Sequence, residues 1–275
     1  MLFRQSLRIV AFALPCVAVL TAGHTGTAKA DALPDGRSVA ENVNARDDGQ
    51  YVSRQLVMQL IDSGGSTRER TTRSFRTYDG EDKKIAIYFE QPRNVRDTAF
   101  LTFDYAEAGE QDDQWLYLPA LRKVRRISGS DRGDYFMGTD FTYDDMKLDG
   151  KIAIGDYAFQ SVGRDAADGV PCLLLEATPQ TDSIAQELGY SRTVSCIDED
   201  IWIARRTEFW DTQGNRLKTL HIRDIAQVSG IWTPQLLVME NHKTGHKTVF
   251  RISDVVYKDE MDRDVFSQAA IRRGL

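Results

Sequence analysis

The chain has 275 residues, of which 41% are hydrophobic and 28% charged, with 35 Lys and Arg residues against 41 Asp and Glu residues. The formal net charge of −6 argues against nucleic acid as a partner, and the length is sufficient for one large domain.

The N-terminus has the pattern of a cleavable export signal. Arg4 and Arg8 form a short basic region, residues 9–20 are apolar but too few to span a bilayer comfortably, and Ala28-Lys29-Ala30 is a small-x-small cleavage site. We predict cleavage after Ala30, export to the periplasm, and a single domain over 31–275. Loss of the three basic leader residues changes the net charge from −6 to about −9.

From Tyr51 onward, alternating apolar residues predict antiparallel strands. Turn residues at 63–65, 78–80, 91–92 and 108–109 separate them. The alternation is seen in four runs: Leu56, Met58 and Leu60; Ile85, Ile87 and Phe89; Leu101, Phe103 and Tyr105; and Trp115 with Tyr117.

The C-terminal half continues this pattern, with strands predicted at 201–211, 216–226, 233–240 and 248–257. Hairpin turns are expected at 211–215 and 242–245. Short helices are predicted at 34–45, 140–148 and 266–273, the second with Thr142 as a candidate N-cap. The chain therefore reads as one antiparallel meander with few helices.

Two cysteines follow the leader, Cys172 and Cys196, each within a strand-like run. A turn-rich segment at 179–189 lies between them, so antiparallel pairing about its midpoint would bring the cysteines opposite each other. An even count in an oxidising compartment favours a disulfide, and two buried free thiols are the alternative.

Catalytic motifs are missing from the sequence. It contains no H-E-x-x-H, G-x-S-x-G, S-x-x-K or phosphate-binding glycine loop, so we predict that the protein is not an enzyme and needs no cofactor. His242 and His246 have metal-like spacing but flank a Thr-Gly turn without a nearby cysteine or carboxylate. The acidic residues at 140–149 lack the order of a calcium loop. No metal site is predicted.

The most informative segment spans residues 111–146 and reads QDDQWLYLPALRKVRRISGSDRGDYFMGTDFTYDDM. It resembles the signature of the outer-membrane lipoprotein-sorting-like proteins, relatives of the lipoprotein carriers LolA and LolB. Weaker similarity at 92–103, 190–214 and 230–248 extends the resemblance over nearly all of the chain after the leader. The cysteine pair is not counted as a family feature.

The resemblance implies an α+β fold that is mainly antiparallel β: a strongly curved, open half-barrel sheet with short helices covering the concave face. It also implies a periplasmic carrier that binds a lipid or the acyl chains of a lipoprotein and passes them toward the outer membrane. The expected partners are this cargo, a membrane-bound donor and acceptor, and an associated RND-type exporter.

Such a carrier needs an apolar cavity, because an acyl chain in water costs about 0.8 kcal/mol per CH₂. Alternate residues of a curved sheet can line one. The alternative is that these residues only pack an ordinary core. The candidate lipid-binding residues, including apolar residues of the segment expected to close the cavity, are Leu56, Met58, Leu60, Ile87, Phe89, Leu101, Phe103, Trp115, Tyr117, Phe136, Met137, Phe141 and Met146.

Charges around the same segment predict a latch formed by Arg125, Arg126, Asp140 and Asp144. We expect Arg126 to pair with Asp140 or Asp144 and to hold the segment closed over the empty cavity. A static loop with solvated charges is the alternative.

Two further functions remain open. Regulators such as RseB use a similar half-barrel as a sensor that binds an anti-sigma factor, although they carry a second, C-terminal domain that we do not expect here. An enzyme acting on lipid or peptidoglycan is disfavoured by the missing catalytic motifs.

Overall fold

Thirteen strands form a single antiparallel sheet in the computed structural model, which describes residues 32–106, 112–258 and 263–275. The predicted leader at 1–30 and its cleavage site lie outside the described residues. The strands are β1 (Tyr51–Ile61), β2 (Thr67–Asp79), β3 (Asp82–Gln91), β4 (Ala99–Asp104), β5 (Asp113–Leu118), β6 (Lys123–Ile127), β7 (Tyr157–Ala167), β8 (Val170–Pro179), β9 (Arg192–Asp198), β10 (Ile203–Trp210), β11 (Arg216–Val228), β12 (Ile231–Asn241) and β13 (Lys247–Lys258).

The sheet consists of two meanders, β1–β6 and β7–β13, which are joined where β1 pairs with β13. In this central pair Met58 lies opposite Phe250, and Leu56 lies opposite Ile252. β6 and β7 are the two edges, so the sheet is open. The prediction of an open, mainly antiparallel sheet is therefore confirmed.

One face of the sheet, here called the inner face, carries the largest apolar cluster. Leu56, Met58 and Leu60 of β1 project from it together with Phe250 of β13, as period-2 alternation requires. Residues 128–156, the connection from β6 to β7 and here called the crossing segment, lie against this face. Its Phe136 is fully buried, with its ring 5.1 Å from that of Phe100.

The opposite, outer face has a smaller apolar cluster under the C-terminal helix. Leu101 of β4 and Tyr88 of β3 are buried there against Phe266 and Ile271. The Tyr88 hydroxyl also donates a hydrogen bond of 2.6 Å to the carbonyl of Val265. β3 and β4 are consequently buried on both faces.

Within the described residues four short α-helices accompany the sheet: α1 (Gly36–Ala45), α2 (Tyr143–Leu148), α3 (Asp182–Leu188) and α4 (Gln268–Arg273). α1 packs Val39 and Val43 against Leu173 and Leu175 of β8. α1 also lies close to β7 at Gly36, where a Cβ atom would be 2.6 Å from the backbone nitrogen of Gln160.

The two helices that follow have defined N-terminal caps. Thr142 and Asp145 form a reciprocal capping box at the start of α2, as the candidate N-cap predicted. α3 lies in the segment at 179–189 that was predicted to be rich in turns. Thr181 caps its N-terminus and Gly189 ends it in the left-handed conformation.

A disulfide joins β8 and β9 through Cys172 and Cys196, whose Cα atoms are 5.3 Å apart. The prediction of the bond is confirmed. Its register is offset, because Cys196 lies opposite Leu174 rather than Cys172. The two cysteines are therefore diagonal neighbours on one face.

The described residues from Leu33 onward form one compact unit by their contacts. In the part of the chain that the structure describes, no helix has the length and apolarity to cross a membrane.

Candidate functional site

A cavity of about 240 Å³ lies between the inner face of the sheet and the crossing segment. Adjacent positions on three strands form one row of its wall: Ile222 of β11 pairs with Leu237 of β12, which pairs with Phe250 of β13. On the other side, Phe141 of the crossing segment stacks on Phe250 with ring centroids 4.2 Å apart. The volume is slightly below the roughly 300–1,000 Å³ typical of ligand pockets.

Most of the wall is apolar and comes from the C-terminal meander and the crossing segment. Ser195 and Thr207, whose hydroxyls are 2.9 Å apart, form a small polar patch within it. The apolar residues of the wall include Leu56, Ile85, Ile87, Phe141, Met146, Tyr157, Phe159, Leu175, Ala177, Tyr190, Ile197, Ile203, Phe209, Leu220, Ile222, Leu237, Phe250 and Ile252.

The structure divides the thirteen predicted lipid-binding residues into three groups. Leu56, Ile87, Phe141 and Met146 line the cavity. Five others pack in the inner cluster without lining it: Met58, Leu60, Phe89 and Phe136 are buried there, and Met137 is partly buried against it.

The structure corrects the prediction for the third group. Its members lie on the outer face beneath α4 and not at the cavity: Leu101, Phe103, Trp115 and Tyr117. Strand alternation means that the neighbouring residues Phe100 and Leu116 face inward instead. β4 and β5 are apolar on both faces, so their pattern did not indicate which set faces the cavity.

Sequence reasoning missed the cavity wall formed by β9 to β13. The sequence did indicate apolar residues in this region, since the predicted strands at 216–226 and 233–240 contain Leu220, Ile222 and Leu237, which line the cavity. The candidate set was drawn from the N-terminal meander and the crossing segment, whereas the pairing of β1 with β13 places the cavity where the two meanders meet.

Buried polar contacts hold the crossing segment to β13 and β12. The Asp140 carboxylate lies 2.6 Å from Nδ1 of His246 and accepts hydrogen bonds of 2.7 Å from Thr248 and 3.2 Å from Asn241. Its backbone N–H also donates to Thr248 at 2.9 Å. This arrangement fixes the middle of the segment.

A second charged group holds both ends of the crossing segment. Arg132 lies 3.1 Å from Asp156 and 3.3 Å from Glu187, and Lys147 lies 3.4 Å from Asp144. Burial raises the pKa of Asp144 despite the neighbouring Lys147 and Arg132. Burial would by itself lower the pKa of Lys147, but the surrounding carboxylates raise it.

The predicted latch is wrong. Arg126 pairs with Asp113 at 2.6 Å and Arg125 with Asp131 at 3.2 Å, and both arginines are exposed. Arg126 lies opposite Trp115 in the β5–β6 register, on the outer face. Asp140 and Asp144 instead take the partners described above.

One end of the cavity is charged, and we call its six residues the charged end: Arg46, Asp48, Arg54, Arg76, Asp149 and Lys151. The Asp149 carboxylate lies 2.5 Å from Arg54 and 3.6 Å from Arg76. Burial would raise the pKa of Asp149, but these two guanidinium groups lower it.

The other carboxylate of the charged end, Asp48, lies 3.0 Å from Arg76 and 3.4 Å from Lys151. Burial lowers the pKa of Lys151 to about 8, and the positive charge of Arg46 contributes while Asp48 opposes the change. Lys151 also donates hydrogen bonds to the carbonyls of Asn44 and Arg46.

The two histidines with metal-like spacing contact different groups. Nε2 of His242 lies 2.8 Å from the hydroxyl of Thr219, and His246 contacts Asp140. Across the described ranges no cluster of three His, Cys, Asp or Glu side chains has a metal-binding arrangement.

Comparison with known proteins places this architecture among sorting proteins. A family model described as an uncharacterized protein matches residues 81–273. The structure of a putative outer membrane lipoprotein-sorting protein domain from Vibrio parahaemolyticus is similar with a TM-score of 0.78 and 30% identity, over 86% of this chain and 98% of that one. No curated protein matches the chain significantly.

Two further solved structures share the fold. A DUF1329 family protein from Desulfovibrio piger has a TM-score of 0.79 and 28% identity, over 86% of this chain and 97% of that one. A LolA superfamily protein from Nitrosomonas europaea has a TM-score of 0.65 and 17% identity, over 86% of this chain and 99% of that one.

Proposed function

This chain belongs to the family of outer-membrane lipoprotein-sorting proteins, and on that premise we propose that it is a periplasmic carrier that binds an acyl chain of a lipid or lipoprotein. The observation that carries the proposal is the apolar cavity of about 240 Å³ under the crossing segment. An acyl chain costs about 0.8 kcal/mol per CH₂ in water, so a soluble carrier must enclose it in such a cavity.

The proposed mechanism is binding followed by transfer, with no chemical step. A membrane-bound donor delivers the acyl chain, the cavity shields it during transit, and an acceptor with higher affinity removes it toward the outer membrane. An RND-type exporter as energy source remains a prediction. The disulfide supports a periplasmic location because such bonds persist in oxidising compartments.

The proposal that the protein is not an enzyme is supported by the wall of the cavity. Its described polar residues are Ser, Thr, Tyr, Trp and charged groups, and most of the charged groups form ion pairs with one another or with neighbouring lysines. His246 is engaged with Asp140 outside the wall. A nucleophile aligned with a general base is the geometry that catalysis would need.

Native extraction tests the carrier function. The protein is purified from the periplasm without detergent, and mass spectrometry identifies the lipids that remain bound. We expect acyl lipids in a defined ratio to protein. Recovery of wild-type protein free of lipid, together with failure to bind an added acyl probe, would overturn the proposal.

A variant that fills the cavity locates the binding site. Leu237→Trp adds volume to the wall, so we expect the bound lipid to fall several-fold while the melting temperature shows that the protein is folded. Leu121→Trp is the matched control, because Leu121 is largely exposed and lies outside the wall. Unchanged lipid in Leu237→Trp, or in the smaller change Leu237→Phe, would place the lipid elsewhere.

A further inference from the structure

We propose that the charged end of the cavity binds the anionic head of an amphiphile, a carboxylate or a phosphate, whose single tail occupies the apolar wall. This inference rests on the proposed function and names the chemical class of its ligand. It is carried by an excess of positive charge and by buried donor atoms that have no hydrogen-bond partner among the described residues.

The charged end has more cations than its carboxylates can neutralise. Four cationic side chains face two carboxylates, Asp48 and Asp149, which leaves two positive charges in excess at this end. The other two carboxylates that line the cavity, Asp144 and Asp145, pair with Lys147 and Lys218 outside its wall. Asp149 already contacts Arg54 and Arg76, and Asp48 contacts Arg76 and Lys151.

Several donors at this end are buried without a hydrogen-bond partner in the described structure. They are Nε of Arg46, Arg54 and Arg76, and the hydroxyl of Ser74. Ser74 and Arg76 are almost completely buried. Buried polar groups in proteins are normally hydrogen-bonded, so such a group of donors around a cavity indicates an acceptor that binds there.

The strand register brings these donors together. Ser74 of β2 lies directly opposite Arg54 of β1, and Arg76 follows two residues later on the same face. All three residues line the cavity. A carboxylate or phosphate offers several acceptor oxygens, and arginine forks bind such groups with charge-assisted hydrogen bonds.

Arg46, the residue that caps the C-terminus of α1, provides the cation with the least internal compensation. Among the described residues it has no ion-pair partner within 4.0 Å. Its guanidinium lies near the end of α2, since a Cβ atom on Gly150 would be 4.0 Å from Nη2 of Arg46.

The apolar wall begins directly beside the donors. In the β2–β3 register Ser74 lies opposite Ile87 and Arg76 lies opposite Ile85, and both isoleucines line the cavity. Leu56 follows Arg54 on the same face of β1. When the head group of the ligand binds at the charged end, its tail therefore contacts the apolar residues of the wall.

Two probes with the same tail test the inference. Full-length exported protein, stripped of lipid, is titrated with cis-parinaric acid and with its methyl ester, whose head is uncharged, and binding is followed by probe fluorescence. We expect the wild type to bind the acid at least about tenfold more tightly than the ester, which corresponds to about 1.4 kcal/mol.

Arg46→Gln is the diagnostic variant, because Arg46 forms no ion pair with any other described residue. We expect its affinity for the acid to fall about tenfold while its affinity for the ester is unchanged. Arg37→Gln is the matched control: it removes the same charge from an exposed residue of α1 that pairs with Glu41. We expect it to behave as the wild type.

The outcomes separate this inference from the carrier function. Equal wild-type affinity for acid and ester, or an equal effect of Arg46→Gln on both, would overturn the anionic head but leave the carrier function intact. Failure of both probes to bind would overturn both. Displacement of the acid by palmitate or by palmitoyl lysophosphatidic acid supports the inference, and the more potent competitor identifies the head as carboxylate or phosphate.

Discussion

Lys218 of β11 and Asp145 of α2 form an ion pair of 2.7 Å in which the lysine side chain is completely inaccessible to solvent. The same ammonium group donates a hydrogen bond of 2.8 Å to the carbonyl of Asp140. It also lies 5.0 Å from the ring centres of Tyr190 and Phe209. A single buried cation thus connects the crossing segment to the sheet beside the cavity.

Lys218→Met should strongly destabilise the protein. The substitution leaves the Asp145 carboxylate without its cation, and breaking a buried pair in this way costs about 3–5 kcal/mol. Lys247→Met is the control, since Lys247 and Glu240 form an exposed ion pair. Its loss should lower the free energy of unfolding by less than about 1 kcal/mol. Urea unfolding measures both, and similar losses in the two variants would contradict the role of Lys218.

Asp140→Asn should loosen the crossing segment without unfolding the sheet. The change weakens the contacts with His246 and Thr248, so we expect faster amide hydrogen exchange over 136–148. Arg126→Gln breaks only the exposed pair with Asp113 and should leave exchange as in the wild type. If the two variants show the same protection, the Asp140 contacts do not hold the segment.

The disulfide should contribute to stability through the loop that it closes. Cys172 and Cys196 are separated by 24 residues, for which the loop-entropy relation gives about 3 kcal/mol. We expect unfolding of the doubly substituted Cys172→Ser, Cys196→Ser protein to require less urea. Thiol labelling of denatured, unreduced protein that begins at Asp31 should detect no free thiol, and two labels per molecule would refute the bond.

Lys151 should make the free energy of unfolding increase with pH in the alkaline range. Its pKa is about 8 in the folded protein and 10.5 as an ordinary lysine, so between these values the folded state binds fewer protons than the unfolded state. Stability then rises with pH across this window. Burial is the main cause of the lowered pKa of Lys151, the charges of Arg46 and Arg76 add to it, and Asp48 opposes it.

Urea unfolding across this pH range measures the effect as the difference in unfolding free energy between wild type and Lys151→Met. We expect this difference to change in favour of the wild type as the pH rises. A difference that stays constant with pH would show that Lys151 has an ordinary pKa in the folded protein.

Strands with apolar alternation were predictable, and strands with polar inward residues were not. β1, β3, β4 and β5 were located from alternation, as were the four C-terminal strands. β2 directs Thr72, Ser74 and Arg76 inward, so it lacks the apolar pattern on which the prediction depends. Arg76 belongs to the charged end and Ser74 lies beside it on the same strand, so sequence reasoning also missed this end of the cavity.

The sequence by itself determined the antiparallel class, the disulfide partners, the cap of α2 and the family, because each depends on local pattern or on a long specific motif. Only the tertiary structure decided which face of β4 and β5 is inward and which charges pair across the crossing segment. Alternation specifies that neighbouring residues point to opposite faces but not which face is covered. That choice depends on α4, the crossing segment and the pairing of β1 with β13, which bring together residues far apart in the chain.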